Sequence, residues 1–258
     1  EFKGREQFQG AFIHPQLWPE NFDYSGKQVV VIGSGATAVT LVPAMADKAK
    51  HVTMLQRSPT YVVSLPEGDS ISAFLRRFLP ETWVYRLART RNVAMQMGFF
   101  KLSRVWPSLV RKVLLGLAKR ELGADFDMRH FSPSYNPWDE RVCAVPNGDL
   151  FNVLREGKAS VVTEHIDGFT ATGIRLKSGQ ELPADVIISA TGLELQLFGG
   201  MSVAVDGVPF DAAQSMGYRG IMLRDLPNAA VVLGYTNASW TLKADLSSEY
   251  FCRLINHM

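Results

Sequence analysis

Lys27 to Pro59 reads KQVVVIGSGATAVTLVPAMADKAKHVTMLQRSP. Val29-Val30-Val31-Ile32 is a short β-branched run of the kind that fills a strand buried on both faces. Gly33-Ser34-Gly35-Ala36-Thr37-Ala38 follows at once. The first glycine permits a tight turn out of the strand, the second lets backbone approach a pyrophosphate, and Ala38 takes the third position, where a small residue lets helix pack on strand. A helix over Ala36–Ala46 then offers its free N–H groups and positive dipole end to an anion. A second strand, His51–Gln56, comes at the expected distance. A merely Gly-rich turn is the bland alternative, and the strand before and helix after argue against it.

The end of the second strand bears on which dinucleotide binds. A carboxylate there takes the ribose 2′-OH of NAD, whereas a cation suits the 2′-phosphate of NADP. The chain offers Gln56-Arg57-Ser58. Arg57 is suited to a charge-assisted fork on phosphate, with Ser58 beside it, so NADPH is favoured over NADH. Outside this context Arg57 reads as a surface arginine at a strand end.

At 258 residues the chain has room for one large α/β domain or two smaller ones. A net charge of +2 gives no reason to invoke nucleic acid, and no apolar run is long enough for a spanning helix. Cys143 and Cys252 form neither a CxxC nor a Cys/His cluster. This pattern predicts no metal site and a reducing, cytoplasmic compartment. With Glu1 as first residue and no signal peptide, the chain reads as a fragment of something longer.

Residues 70–123 are helical in pattern and strongly basic. Ile71, Phe74, Leu75 and Phe78 keep helical spacing, Pro80 breaks the run, and Leu109, Val110, Val113, Leu114 and Leu117 form a later stripe. Residues 71–120 hold eleven Lys or Arg against the single acid Glu81. One reading is a helical insertion whose apolar stripe is core and whose cations are solvated or face an acidic neighbouring domain. The sharper one is a basic amphipathic surface touching anionic membrane or a partner.

A Pro- and aromatic-rich loop, His130 to Trp138, leads to Asp139-Glu140-Arg141 and has the composition of an ordered binding loop. Asp149 is expected to cap a helix over Leu150–Glu156. Short strands follow at Ser160–Thr163, Gly168–Ala171, Gly173–Leu176 and Val186–Ser189, with a hairpin turn at Lys177–Gln180. Ala190-Thr191-Gly192 closes the last of them. Asn228–Gly234 reads as a buried strand running into the polar loop Tyr235–Thr241, and a helix is expected from Lys243 to Ile255.

Residues 8–19, FQGAFIHPQLWP, complete the picture. Phe8, Gly10, His14, Trp18 and Pro19 fill every fixed position of FxGxxxHxxxWP, which resembles the fingerprint of type I Baeyer–Villiger monooxygenases. HPQLWP, VVVIGSGATAVTLVPA, HVTMLQRSPTY, YNPWDER, VPNGDLF and GYTNASWTLKADL look like the ethionamide-activating group of mycobacteria within that family. The resemblance covers essentially the whole chain.

It implies an NADPH- and FAD-dependent monooxygenase that places one oxygen atom of O₂ into a ketone, or onto the sulfur of a thioamide or sulfide, through a flavin C4a-peroxide. It implies a Rossmann-like NADPH domain with a parallel sheet, a basic helical insertion and a small antiparallel meander, plus part of a second, FAD-binding domain. The divisions expected are a linker at 1–25, the NADPH domain at 26–189 with its insertion at 70–123, and the flavin-domain part at 190–258. Arg141 matches the family arginine beside the flavin, while Glu140 replaces the neighbouring lysine. His14 would belong to the linker that couples domain movement to turnover. Ala190, Thr191 and Gly192 would lie where the chain crosses back to the flavin domain, and Asn237 and Trp240 in the loop that covers the flavin.

The family's upstream FAD turn is absent, so the remainder of the FAD domain is an expected partner. An N- or S-oxygenating flavin monooxygenase and a non-catalytic NADPH-binding module are the rival readings. A short-chain dehydrogenase is disfavoured, since no Tyr has Lys four residues later.

Overall fold

The computed structural model describes residues 2–235 and 240–258, and the chain divides into two compact units after Gly192. The first unit is built on a five-stranded parallel sheet. Its strands are β1 (Ala11–Ile13), β2 (Gln28–Ile32), β3 (His51–Gln56), β6 (Ala159–Thr163) and β10 (Val186–Ser189), in the order β1-β10-β2-β3-β6. Between β2 and β3 runs α1 (Ala36–Ala46), and α5 (Asp149–Arg155) precedes β6. Side chains on a strand alternate between faces, and β2 uses both faces fully. Val29 and Val31 join α1 and α5 in one core, with Val42, Met45 and Phe151. Val30 and Ile32 join a second core on the other face, with Phe169, Ile174, Leu176 and Leu182. Those last four residues come from an antiparallel meander of β7 (Ile166–Thr170), β8 (Gly173–Leu176) and β9 (Glu181–Pro183). The unit is thus layered as helices, parallel sheet and meander. A continuous β-branched run is what such a doubly covered strand requires.

Between β3 and α5 the chain makes a separate parallel pair, β4 (Tyr61–Leu65) with β5 (Val142–Pro146), in the register Tyr61↔Val142. Its crossover contains three helices, α2 (Ser70–Leu75), α3 (Glu81–Val105) and α4 (Pro107–Leu122). α4 anchors them by burying Val110, Leu114, Ala118 and Leu122. In α3 only Val84 and Ser103 are buried out of 25 residues.

The second unit, Leu193–Met258, holds two ribbons of two-residue strands and the helix α6 (Trp240–His257).

Several local expectations change. β1 lies within the stretch read as linker, because its three residues pair with β10 through Ile13↔Ile188. The strand at 159–163 joins the parallel sheet, and the meander is completed by a further short strand, β9. Asn228–Gly234 is not a strand: Val231 N–H reaches Ile221 O at 2.6 Å, and Val232 and Leu233 are exposed. An apolar run becomes a strand only beside a sheet edge, and the short ribbons of this unit do not pair with it. Asp149 is the first residue of α5 rather than its cap; Gly148 holds the cap position and Asp149 Oδ1 accepts from Leu150 N–H.

Candidate dinucleotide site

The turn after β2 is shaped by contacts on both sides. Gly33 has φ +136°, and a Cβ there would lie 2.4 Å from Ala190 O, so no side chain fits. Its N–H donates to Leu55 O at 2.8 Å. Ser34 Oγ donates to Ser58 O at 3.3 Å and lies 3.1 Å from Thr60 Oγ1, which joins the turn to the segment leaving β3. Gly35 holds the N-cap position of α1 in extended conformation, with no side chain capping the helix. The first N–H groups of α1 therefore remain available to an anion. Thr37 lies in that first turn, and Ala38 is completely buried against the sheet.

One cation bears directly on this helix end. Arg141 Nη1 lies 2.8 Å from where a Cβ on Gly35 would stand, so the guanidinium rests directly over the second glycine of the turn. The reason is the β4–β5 pairing, which brings the residue before Val142 level with the Thr60–Tyr61 end of β4. Tyr61 Oη donates to Tyr135 O at 2.7 Å and fixes the aromatic loop from below. Arg104 of α3 holds Asp139 at 2.7 Å, and this hydrogen bond keeps the Asp139 carboxyl below the usual carboxylate range. Arg57 is exposed just beyond β3. Its neighbour Gln56 is buried and committed elsewhere, donating to His130 O at 2.7 Å and Thr163 Oγ1 at 2.8 Å. Ser58 contributes its carbonyl to Ser34, and its side chain is exposed.

Cys143 lies beneath the turn, its thiol directed at Ser34 O at 4.0 Å. Burial raises its pKa and keeps it protonated. Among the described residues no group of His, Cys, Asp or Glu is arranged to hold a metal.

His14 stands apart from this cradle. Its Nδ1 accepts from Gln16 N–H at 3.3 Å, which leaves the proton on Nε2, and Nε2–H donates to Gly192 O at 2.9 Å. Both ring nitrogens are thus used, and the Nε2 bond joins the FxGxxxH stretch to Ala190-Thr191-Gly192. Ser189 Oγ and Thr191 Oγ1 lie 3.0 Å apart beside this link. In the same stretch, a Cβ on Gly10 would stand 2.5 Å from Asp185 O, while Trp18 meets Phe22 and Tyr24 edge-on. In the second unit the Trp240 ring lies on Gly234, where a Cβ would be 2.1 Å from Cδ2. Asn237 lies outside the described residues.

The sequence reading overlooked Thr60, Tyr61 and Cys143, which hold the turn without touching its glycines' fingerprint. The uncapped helix start, the close-approach glycine and the Arg141 guanidinium beside it suit a dinucleotide pyrophosphate.

No family model matches the chain. It is 59% identical, over its whole length, to the FAD-containing monooxygenase EthA of Mycobacterium tuberculosis (strain ATCC 25618 / H37Rv), of which it covers 53%. It is 56% identical, again throughout, to the probable FAD-binding monooxygenase AlmA of Acinetobacter baylyi (strain ATCC 33305 / BD413 / ADP1), of which it covers 52%. Among solved structures, an open cyclohexanone monooxygenase aligns with the full chain at TM-score 0.67 and 17% identity, over 59% of its own length. OTEMO in complex with FAD and NADP aligns at TM-score 0.67 and 19% identity, over 58% of its length. These structures share the fold. The chain spans about half the length of the curated relatives it matches, and over that span its sequence is similar to the FAD-containing monooxygenases EthA and AlmA.

Proposed function

We propose that the chain forms the NADPH-binding part, and a portion of the FAD-binding part, of an NADPH- and FAD-dependent monooxygenase acting on ketones or on sulfur in thioamides and sulfides. The domain limits proposed are a linker at 1–25, an NADPH domain at 26–189 and a flavin-domain portion at 190–258. The observation that carries the reading is the Arg141 guanidinium seated over Gly35 at the uncapped start of α1. Gly33 to Ala38 receive the pyrophosphate through backbone N–H groups, and Arg57 with Ser58 takes the 2′-phosphate. Ala190, Thr191, Gly192, Asn237 and Trp240 are assigned to FAD binding. FAD, when bound, supplies hydride acceptance from NADPH and activation of O₂. Arg141 supplies a permanent, planar cation that favours negative charge developing beside it. His14 is a positioning residue, since its proton is committed to Gly192 O. Unpaired Cys143 and Cys252 accord with a cytoplasmic setting.

In the whole enzyme Arg141→Ala should lower substrate oxygenation by roughly 10²–10³ while NADPH oxidation persists, the cost of one preorganised electrostatic contact. Arg141→Lys should recover part of it. Product formation and NADPH consumption measured together decide the matter: near wild-type coupling in the alanine variant removes Arg141 from the chemistry.

A further inference from the structure

The helices between β4 and β5 leave an apolar stripe unpartnered. On α4, Leu109, Val113 and Leu117 are 53%, 51% and 49% exposed, and Trp106 at its start is 59% exposed. Helical spacing puts these four on one face, about a third of the circumference away from the buried stripe of Val110, Leu114, Ala118 and Leu122. Lys112, Lys119 and Arg120 are exposed on the same helix. The charge around them is one-sided, with eleven cations and one acid between residues 71 and 120. Acids hold three of those cations, in the pairs Arg76–Glu81, Arg91–Asp69 and Arg104–Asp139. No described helix is long and apolar enough to cross a membrane.

Three occupants from outside the protein compete for such a face. Nucleic acid would satisfy the cations and leave four large apolar side chains in water. A second copy meeting face to face would set the cations against themselves, because a two-fold contact pairs a patch with its own image. An anionic bilayer satisfies both, since headgroups take the charge and the stripe sinks to the acyl boundary. We infer that α4, with Trp106, docks the protein peripherally on anionic lipid. This inference is independent of the proposed oxygenation chemistry.

The test is sedimentation of the full-length, flavin-loaded enzyme with vesicles of phosphatidylcholine alone or containing one third phosphatidylglycerol. Binding is expected to the anionic vesicles only, and to be released by high salt. Each cation near such a surface contributes roughly fivefold in affinity, so K112Q/K119Q/R120Q should bind about a hundredfold more weakly. A second variant, Trp106→Ala with Leu109→Ala, should lose binding with all charges kept. Flavin content and NADPH oxidation, which none of these residues serves, check that both variants are folded. Absence of binding, equal binding to both vesicles, or wild-type binding by the triple variant overturns the inference. So does an oligomer that the variants dissociate without any vesicle binding, which would assign the face to a second copy.

Discussion

Gly35→Ala separates the shape of the dinucleotide turn from its stability. The backbone at Gly35 has φ −83° and ψ −176°, a conformation open to any residue. An added Cβ meets one group, the Arg141 guanidinium, with Nη1 at 2.8 Å and Cζ at 3.9 Å. Non-bonded heavy atoms settle near about 3.5 Å, so the guanidinium must withdraw by about 0.7 Å. It is the far end of a flexible, exposed side chain, and the substitution should cost less than about 0.5 kcal/mol of stability. The methyl group nevertheless stands where backbone must approach pyrophosphate, and Arg141 is displaced from it. Losing one charge-assisted hydrogen bond costs roughly 1.5–3 kcal/mol, or about ten- to 150-fold in NADPH affinity. Gly35→Ala and Arg141→Ala act through the same atoms, so their losses should not add in the double variant. Calorimetric titration of the whole enzyme with NADPH, beside a thermal melt, measures both quantities. Unchanged affinity refutes the placement of the pyrophosphate, and additive losses refute the coupling to Arg141.

Arg57→Ala should weaken NADPH at least tenfold and leave NADH within about twofold, because only the former carries the 2′-phosphate; an equal loss for both cofactors in a binding titration removes that assignment. His130 is held neutral by burial, its pKa lowered from 6.5, with Nδ1 against Thr163 Oγ1 at 2.7 Å. The unfolded chain then binds the extra proton more readily, so His130 contributes stability fully above pH 6.5, and that contribution falls as pH drops from there toward its lower folded value. Melting temperatures from pH 7.5 to 5.5 should show a shallower acid loss in His130→Asn than in the wild type, and parallel curves would contradict the reasoning.

The elements legible in the sequence were those whose signal is local. β2, α1 and β3 are announced by a β-branched run, a glycine turn and a second apolar run, each read within its own few residues. β1 was hidden because three residues suffice for an edge strand and its partner, β10, lies far along the chain. The β4–β5 pair was hidden for the same reason, since its register joins Tyr61 to Val142 across three helices. Asn228–Gly234 shows the converse: it has strand composition without a sheet edge to complete it. The glycines of the turn and Arg57 could be proposed from spacing. Arg141 could be proposed only from resemblance, because no local rule places a side chain over a glycine 106 positions earlier.

Cys143, protonated and buried under Ser34, has a further use as an internal clock. Thiolate is the reactive form, so an alkylating reagent can modify this sulfur only when the turn lifts away from β5 and lets water in. Cys252, exposed on α6, reacts without such an opening. The ratio of the two labelling rates therefore counts how often the nucleotide turn opens. Nucleotide bound across Gly33 to Ala38 should slow the first rate and leave the second unchanged, so that occupancy of the turn is read from a sulfur atom that never touches the ligand.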